Sequence, residues 1–108
     1  MRIDCLPTAV SNNYAVVDVL TLKIMARTVR RADSDAVDVW RALEVCAAAG
    51  IRDIDFGPNE ESVRQVLTTQ FARGGDAIDE IGRAQNLSDV EATRRETRIQ
   101  ALIKQVLP

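Results

Sequence analysis

The chain has no histidine, and its 108 residues include only two cysteines, five glycines, three prolines and four aromatic side chains. Without histidine it lacks the commonest side chain for proton transfer near neutral pH and the commonest metal ligand. Two cysteines, Cys5 and Cys46, cannot complete a tetrahedral zinc site alone. Zinc chemistry and Ser-His-Asp catalysis are therefore excluded within this chain. No apolar run approaches the ~20 residues needed to cross a bilayer, because Asp18 and Lys23 interrupt the longest candidate. Residues 1–7 carry charges and a proline where a secretory leader places an apolar stretch, so a reduced, cytoplasmic setting is expected. Charge of one sign is also missing: 14 Lys plus Arg stand against 16 Asp plus Glu, a formal net charge of −2. Nonspecific attraction to nucleic acid or to an anionic membrane is not expected from that balance.

What is present is 46% apolar and 28% charged, enough for one globular domain and too short for two with separate cores. Residues 1–13 alternate weakly at Ile3 and Cys5, then meet Pro7 and Ser11-Asn12-Asn13, and are expected to form a short extended arm. Residues 14–108 are expected to form a single all-α domain, a compact bundle of four to five helices. From Tyr14 to Arg31 there is no Gly or Pro, and Val17, Leu20 and Ile24 recur at helical spacing with Val16, Met25 and Val29 around them. A helix apolar over so much of its circumference predicts some surface left uncovered in a single copy. Asp33 and Ser34 offer caps for a second helix running to Ala49, with Ala36, Val37, Trp40, Leu43 and Ala47 on one face. Residues 51–59 read as a loop. Glu60 and Glu61 open a third helix that ends at Gly74-Gly75, and Asp76 to Asn86 is a short helix weakened by Gly82. Ser88 with Glu91 three residues later matches a capping box, and it opens a final helix that stops before Pro108.

Among charged residues, Lys23 lies in the middle of the apolar first helix. Snorkelling to the surface is the ordinary behaviour of such a side chain; the functional reading is a phosphate contact. Arg27, Arg30 and Arg31 form a basic edge near the same helix's C-terminus, which dipole complementarity explains. Asp33, Asp35 and Asp38 crowd the start of the second helix, where carboxylates cap backbone donors; Asp35 and Asp38 are one turn apart and could share a face. Asp53-Ile54-Asp55 reads as solvated loop charge. A helix-turn-helix forced onto residues 45–67 would open its recognition helix with two glutamates and offer only Arg64 as a cation, the wrong balance for a phosphate-lined groove. Trp40 reads as core rather than as a stacking platform, and both cysteines read as small buried residues.

The segment Leu20-Thr21-Leu22-Lys23-Ile24-Met25-Ala26-Arg27, followed by Arg30-Arg31-Ala32-Asp33-Ser34-Asp35-Ala36-Val37-Asp38, is more specific than composition. It resembles the C-terminal helical half of AbiEii-type nucleotidyltransferases, a family that includes toxins of bacterial toxin–antitoxin systems. Lys23 to Ala26 matches the family's K-x-x-A motif, and Asp35 to Asp38 matches the acidic part of its D-x-x-D motif, with Ser34 in place of the usual basic residue. The resemblance implies that Lys23 contacts nucleotide phosphates and that Asp35 is a catalytic or metal-linked carboxylate. It also implies that Arg27 and Arg30 help bind the substrate and that Asp38 is structural. The family's magnesium-holding G-S-x-x-x-x-D-x-D motif has no counterpart here. No metal ligand is therefore assigned, and Mg²⁺ with a nucleoside triphosphate is expected only beside a complementary domain. The expected activity is that of a fragment inactive alone, whose partner is the missing nucleotidyltransferase domain, another protein or a second copy. The competing expectation is a noncatalytic helical interaction or regulatory module. In the first case Lys23 and Asp35 meet in a concavity rimmed by Arg27 or Arg30.

Overall fold

The computed structural model describes the backbone of residues 5–29 and 33–108 and the side chains of 15–27 and 35–108. Five α-helices follow one another: α1 (Cys5–Val29), α2 (Asp33–Ala48), α3 (Glu60–Gln70), α4 (Asp76–Gln85) and α5 (Asp89–Val106), with a 3-10 segment over Asp53–Asn59 between α2 and α3. There is no strand among the described residues, and no helix is long and apolar enough to cross a membrane. The fold is the expected all-α bundle.

The extended arm is corrected: residues 5–13 are helical and belong to α1, while 1–4 lie outside the described residues. Pro7 sits in the first turn, where its missing N–H has no intrahelical acceptor to lose, so it starts the helix rather than breaking it. Ser11, Asn12 and Asn13 are weak helix formers, but tenths of a kcal/mol per residue do not stop a helix that continues into a packed segment.

α1 and α2 form an antiparallel αα-hairpin. Lys23 meets Asp38 near the turn, and the Val16 carbonyl meets Cys46 one end further along. α2 is central and packs on α1, α4 and α5. Leu20 and Ile24 of α1, Val39, Leu43 and Cys46 of α2, and Ile99, Leu102 and Val106 of α5 are all fully buried. Val63, Leu67 and Phe71 close the core from α3 and its C-terminal cap. Trp40 is only half-buried and packs at the edge of this core.

The connections depend on specific chemistry. In the segment expected as a loop, Asp55 accepts from the backbone N–H of Arg52 (2.8 Å) and Asp53 accepts from that of Ile54 (2.9 Å). These two carboxylates therefore organise a 3-10 turn. Gly57 kinks that turn at φ 55°, ψ −131°, a combination open to glycine alone. α3 stops at Gln70, earlier than the Gly74-Gly75 pair, and a Cβ on Gly75 would collide with the Gln70 carbonyl as the chain doubles back. Glu96 of α5 holds this turn by accepting from the Gly74 backbone N–H (3.1 Å) and from Arg73 (3.3 Å), and Gln100 donates to the Phe71 carbonyl. Gly82 does not break α4, because Ile78 and Ile81 in the turn before it anchor the helix to the core. The capping box of α5 forms as expected: Ser88 Oγ accepts from the Glu91 N–H (3.2 Å) and Glu91 accepts from the Ser88 N–H (3.1 Å).

Candidate functional site

The α1–α2 hairpin leaves an open groove on its outer side. Ala15, Val16 and Val19 line it from α1, and Ala42 and Val45 from α2; Lys23, Asp38 and Arg41 close one end. Its volume is about 480 Å³. Lys23 Nζ lies 3.2 Å from Asp38 Oδ2, with both side chains well exposed, so the ammonium reaches solvent at the rim. A surface pair of this kind contributes only ~0–1 kcal/mol. Within the groove Val45 is 51% and Val19 49% exposed, and Leu22 beside it is 69% exposed; Val19 and Leu22 are the uncovered apolar surface that the composition of the first helix predicts.

The remaining expected site residues lie elsewhere. Asp35 lies one turn before Asp38 but on its core side. It has the helical phase of the fully buried Val39 and Cys46, is 3% exposed, and does not line the groove. Three residues along, Asp38 has the phase of Arg41 and Val45 and meets Lys23 instead. The anticipated concavity floored by Asp35 is thus a groove ended by Asp38. Arg27 is 1% exposed and faces the interior, so it rims no open surface. Its guanidinium grips Glu80 of α4 through two bonds, 2.7 and 3.1 Å, its Nε donates to Gln70 of α3 at 2.8 Å, and the group lies 5.3 Å from the Phe71 ring centroid. Three of that fork's five N–H donors are met in this way, by acceptors from α3 and α4. Arg30 lies outside the described residues.

The signal for Arg27 is present in the sequence: Leu20, Ile24 and Arg27 are spaced four and three apart, one buried stripe. Reading the arginine as part of a basic edge misses it. Glu80 and Gln70, its partners, carry no comparable local signal, because their approach depends on how α3 and α4 dock.

A second polar cluster joins α2 to α5. Arg98 donates to both carboxylate oxygens of Glu44 (2.7 and 3.0 Å), which holds that carboxyl below its ordinary pKa range. Trp40 Nε1 donates to the same carboxylate at 3.2 Å, and the Arg95 guanidinium stacks 3.7 Å from the Trp40 ring centroid. The indole is thus covered by an arginine and is no open base-stacking platform. Burial pushes the Cys46 thiol up to about 12, so at neutral pH it is a protonated small side chain without nucleophilic character. In the would-be recognition helix, Arg64 is held by Glu60 (2.9 Å) and the Leu107 carbonyl (3.3 Å).

Among the described residues no three cysteine or carboxylate side chains converge as metal ligands. Asp35 is buried, and Asp38 is paired with Lys23. Comparison with protein-family models, with characterised proteins and with solved structures yields no match.

Proposed function

We propose that the chain is a noncatalytic helical interaction module whose working surface is the α1–α2 groove and the apolar strip of α1 beside it. The observation that carries this reading is the exposure of Val19 and Val45 in one groove, with exposed Leu22 one turn along α1 from Val19. Scattered apolar residues on a surface need no explanation, but a contiguous set rimmed by charges is the composition of a protein-binding face. Each apolar side chain covered by a partner contributes roughly 25 cal/mol per Å² removed from water. The ionised groups at the groove end orient the partner more than they hold it. The test compares the wild-type chain with a Val19→Glu/Leu22→Glu variant in extracts of the native host, by native-state mass after cross-linking. Wild type is expected in a discrete complex that the variant loses while keeping its helical circular dichroism. A wild-type chain that stays monomeric in the extract sinks the reading.

A second reading follows from the AbiEii resemblance and makes the chain a nucleotidyltransferase-like piece in which Lys23 contacts phosphate. It is favoured by one observation: the Lys23 ammonium stays exposed at the groove end with the Arg41 side chain beside it. On this reading the isolated chain keeps a weak, Mg²⁺-independent contact with nucleoside triphosphate, and Lys23→Ala weakens it about tenfold, the ~1.4 kcal/mol of one charge-assisted contact. Calorimetric titration that detects no binding to wild type removes it.

A further inference from the structure

We propose that the occupant of the α1–α2 face is a second copy of this chain, with the two α1 helices packed side by side in parallel. The inference rests on the interaction-module reading and names its partner. On the solvent side of α1, Ala15, Val19, Leu22 and Ala26 follow one another at spacings of four, three and four residues. This is the heptad alternation of a two-stranded coiled coil, with Val19 and Ala26 at a and Ala15 and Leu22 at d. The stripe is diametrically opposite the buried stripe of Val17, Leu20 and Ile24, so the same helix presents one seam to its own core and a second one outward. A β-branched residue at a with leucine at d is the combination that favours parallel dimers.

The flanking charges decide between the two directions. Asp18 occupies the g position before Val19, and Lys23 the e position after Leu22. In a parallel pair g faces the partner's following e, so each Asp18 lies opposite the other copy's Lys23, twice by symmetry. Arg41 of α2 stands on the same side as Lys23, in the groove that the partner's helix enters. Among the described residues Asp18 and Arg41, both exposed, make no ion pair within the chain. The Lys23 ammonium has three donors and uses one on Asp38, so it can serve both carboxylates. An antiparallel pair would instead set e against e, bringing Lys23 and Arg41 of one copy towards those of the other. A seam containing two alanines is short by itself. Seating the partner's α1 against Val16, Ala42 and Val45 as well supplies the apolar area that a stable contact needs.

Sedimentation equilibrium of the purified chain tests this directly. Wild type is expected to be a dimer, and Val19→Glu/Leu22→Glu a helical monomer at every concentration. Asp18→Lys should weaken dimerisation about tenfold through the two lost pairs and the repulsion that replaces them. In a Cys5→Ser background, Leu22→Cys should oxidise to a symmetric disulfide, because facing d positions of a parallel pair lie within the ~4.4–6.8 Å Cα separation that a disulfide spans. A wild-type monomer at all concentrations overturns the second copy as occupant. So does a dimer that survives Val19→Glu/Leu22→Glu, or a disulfide that forms only between Val19→Cys and Leu22→Cys chains. A pure monomer that nevertheless joins a Leu22-dependent complex in extract leaves the interaction module standing with a different partner. A monomer in both settings removes both.

Discussion

Replacing Arg27 by alanine is expected to lower the free energy of unfolding by about 3–5 kcal/mol, the loss that follows when one partner of a buried ion pair is removed and the other stays buried. The geometry makes this site costly. Arg27 and Glu80 have side chains 0% and 7% exposed, so the carboxylate left behind has little access to water. Gln70 loses a donor at the same time, and the Phe71 ring loses the cation beside it. Small domains have only ~5–15 kcal/mol of net stability, so such a variant would melt far below wild type or fail to fold. The mirror-image change, Glu80→Ala, should cost a similar amount by stranding the guanidinium. Exchanging both, Arg27→Met with Glu80→Leu, should recover most of the loss, because an apolar pair of comparable volume carries no desolvation penalty. Urea unfolding followed by circular dichroism checks all three. A loss under ~1 kcal/mol for Arg27→Ala would show that water reaches the pair, contrary to its burial. The same series bears on the substrate-binding role implied for Arg27. A buried guanidinium that ties α1 to α3 and α4 is a structural clamp, and its removal should act on folding.

Leu20 and Leu22 stand two residues apart in identical helical surroundings and are expected to behave in opposite ways. Leu20→Ala should destabilise the chain by about 2–5 kcal/mol, the transfer term plus the cavity left among the fully buried Ile24, Val39 and Leu43. Leu22→Ala, at a site 69% exposed, should change monomer stability by less than ~0.5 kcal/mol. Thermal unfolding of both variants, measured dilute enough for single copies to prevail, gives the comparison. Raising the protein concentration then separates the two roles. Leu22 should begin to matter as copies associate, whereas the deficit at Leu20 should be independent of concentration. Equal destabilisation at high dilution would contradict the assignment of Leu20 to the core and of Leu22 to the binding face.

The helices were readable because their signals are local. Ser88 and Glu91 satisfy each other's backbone groups within one turn, and Glu60 and Glu61 begin α3 where a helix N-terminus favours negative charge. The misread boundaries are those where a local signal has two meanings. Pro7 either ends a strand or begins a helix, and only continuation into packed α1 selects the second. Gly74 and Gly75 mark a turn, but α3 ends before them, where Phe71 leaves the helical conformation and turns its ring into the core.

The expected site suffered from a different limitation. Lys23 stands out in the sequence as an amphipathic side chain on an apolar helix, and the uncovered face of α1 follows from the excess of apolar residues around its axis. Both are properties of one helix and its 3.6-residue period. The partners are not. Asp35 and Asp38 both stand in the first two turns of α2, within reach of Lys23 across the hairpin, and the rotation of α2 about its own axis chooses between them. That rotation is set by Val39, Leu43 and Cys46 seeking the core, and it carries Asp35 inward with them. Likewise the heptad stripe on α1 and its flanking Asp18 and Lys23 are written in the chain. That this stripe faces water while Leu20 and Ile24 face the bundle was decided by packing against α2. Arg27 shows the division most sharply. Its place on the buried stripe is fixed by spacing alone, but a buried guanidinium is tolerable only with a carboxylate in reach, and Glu80 arrives from 53 residues away. Periodicity thus determined which residues point together. Only the docking of α1, α3 and α4 decided what they point at, since the energy of a buried charge depends on the groups around it rather than on its neighbours in the chain.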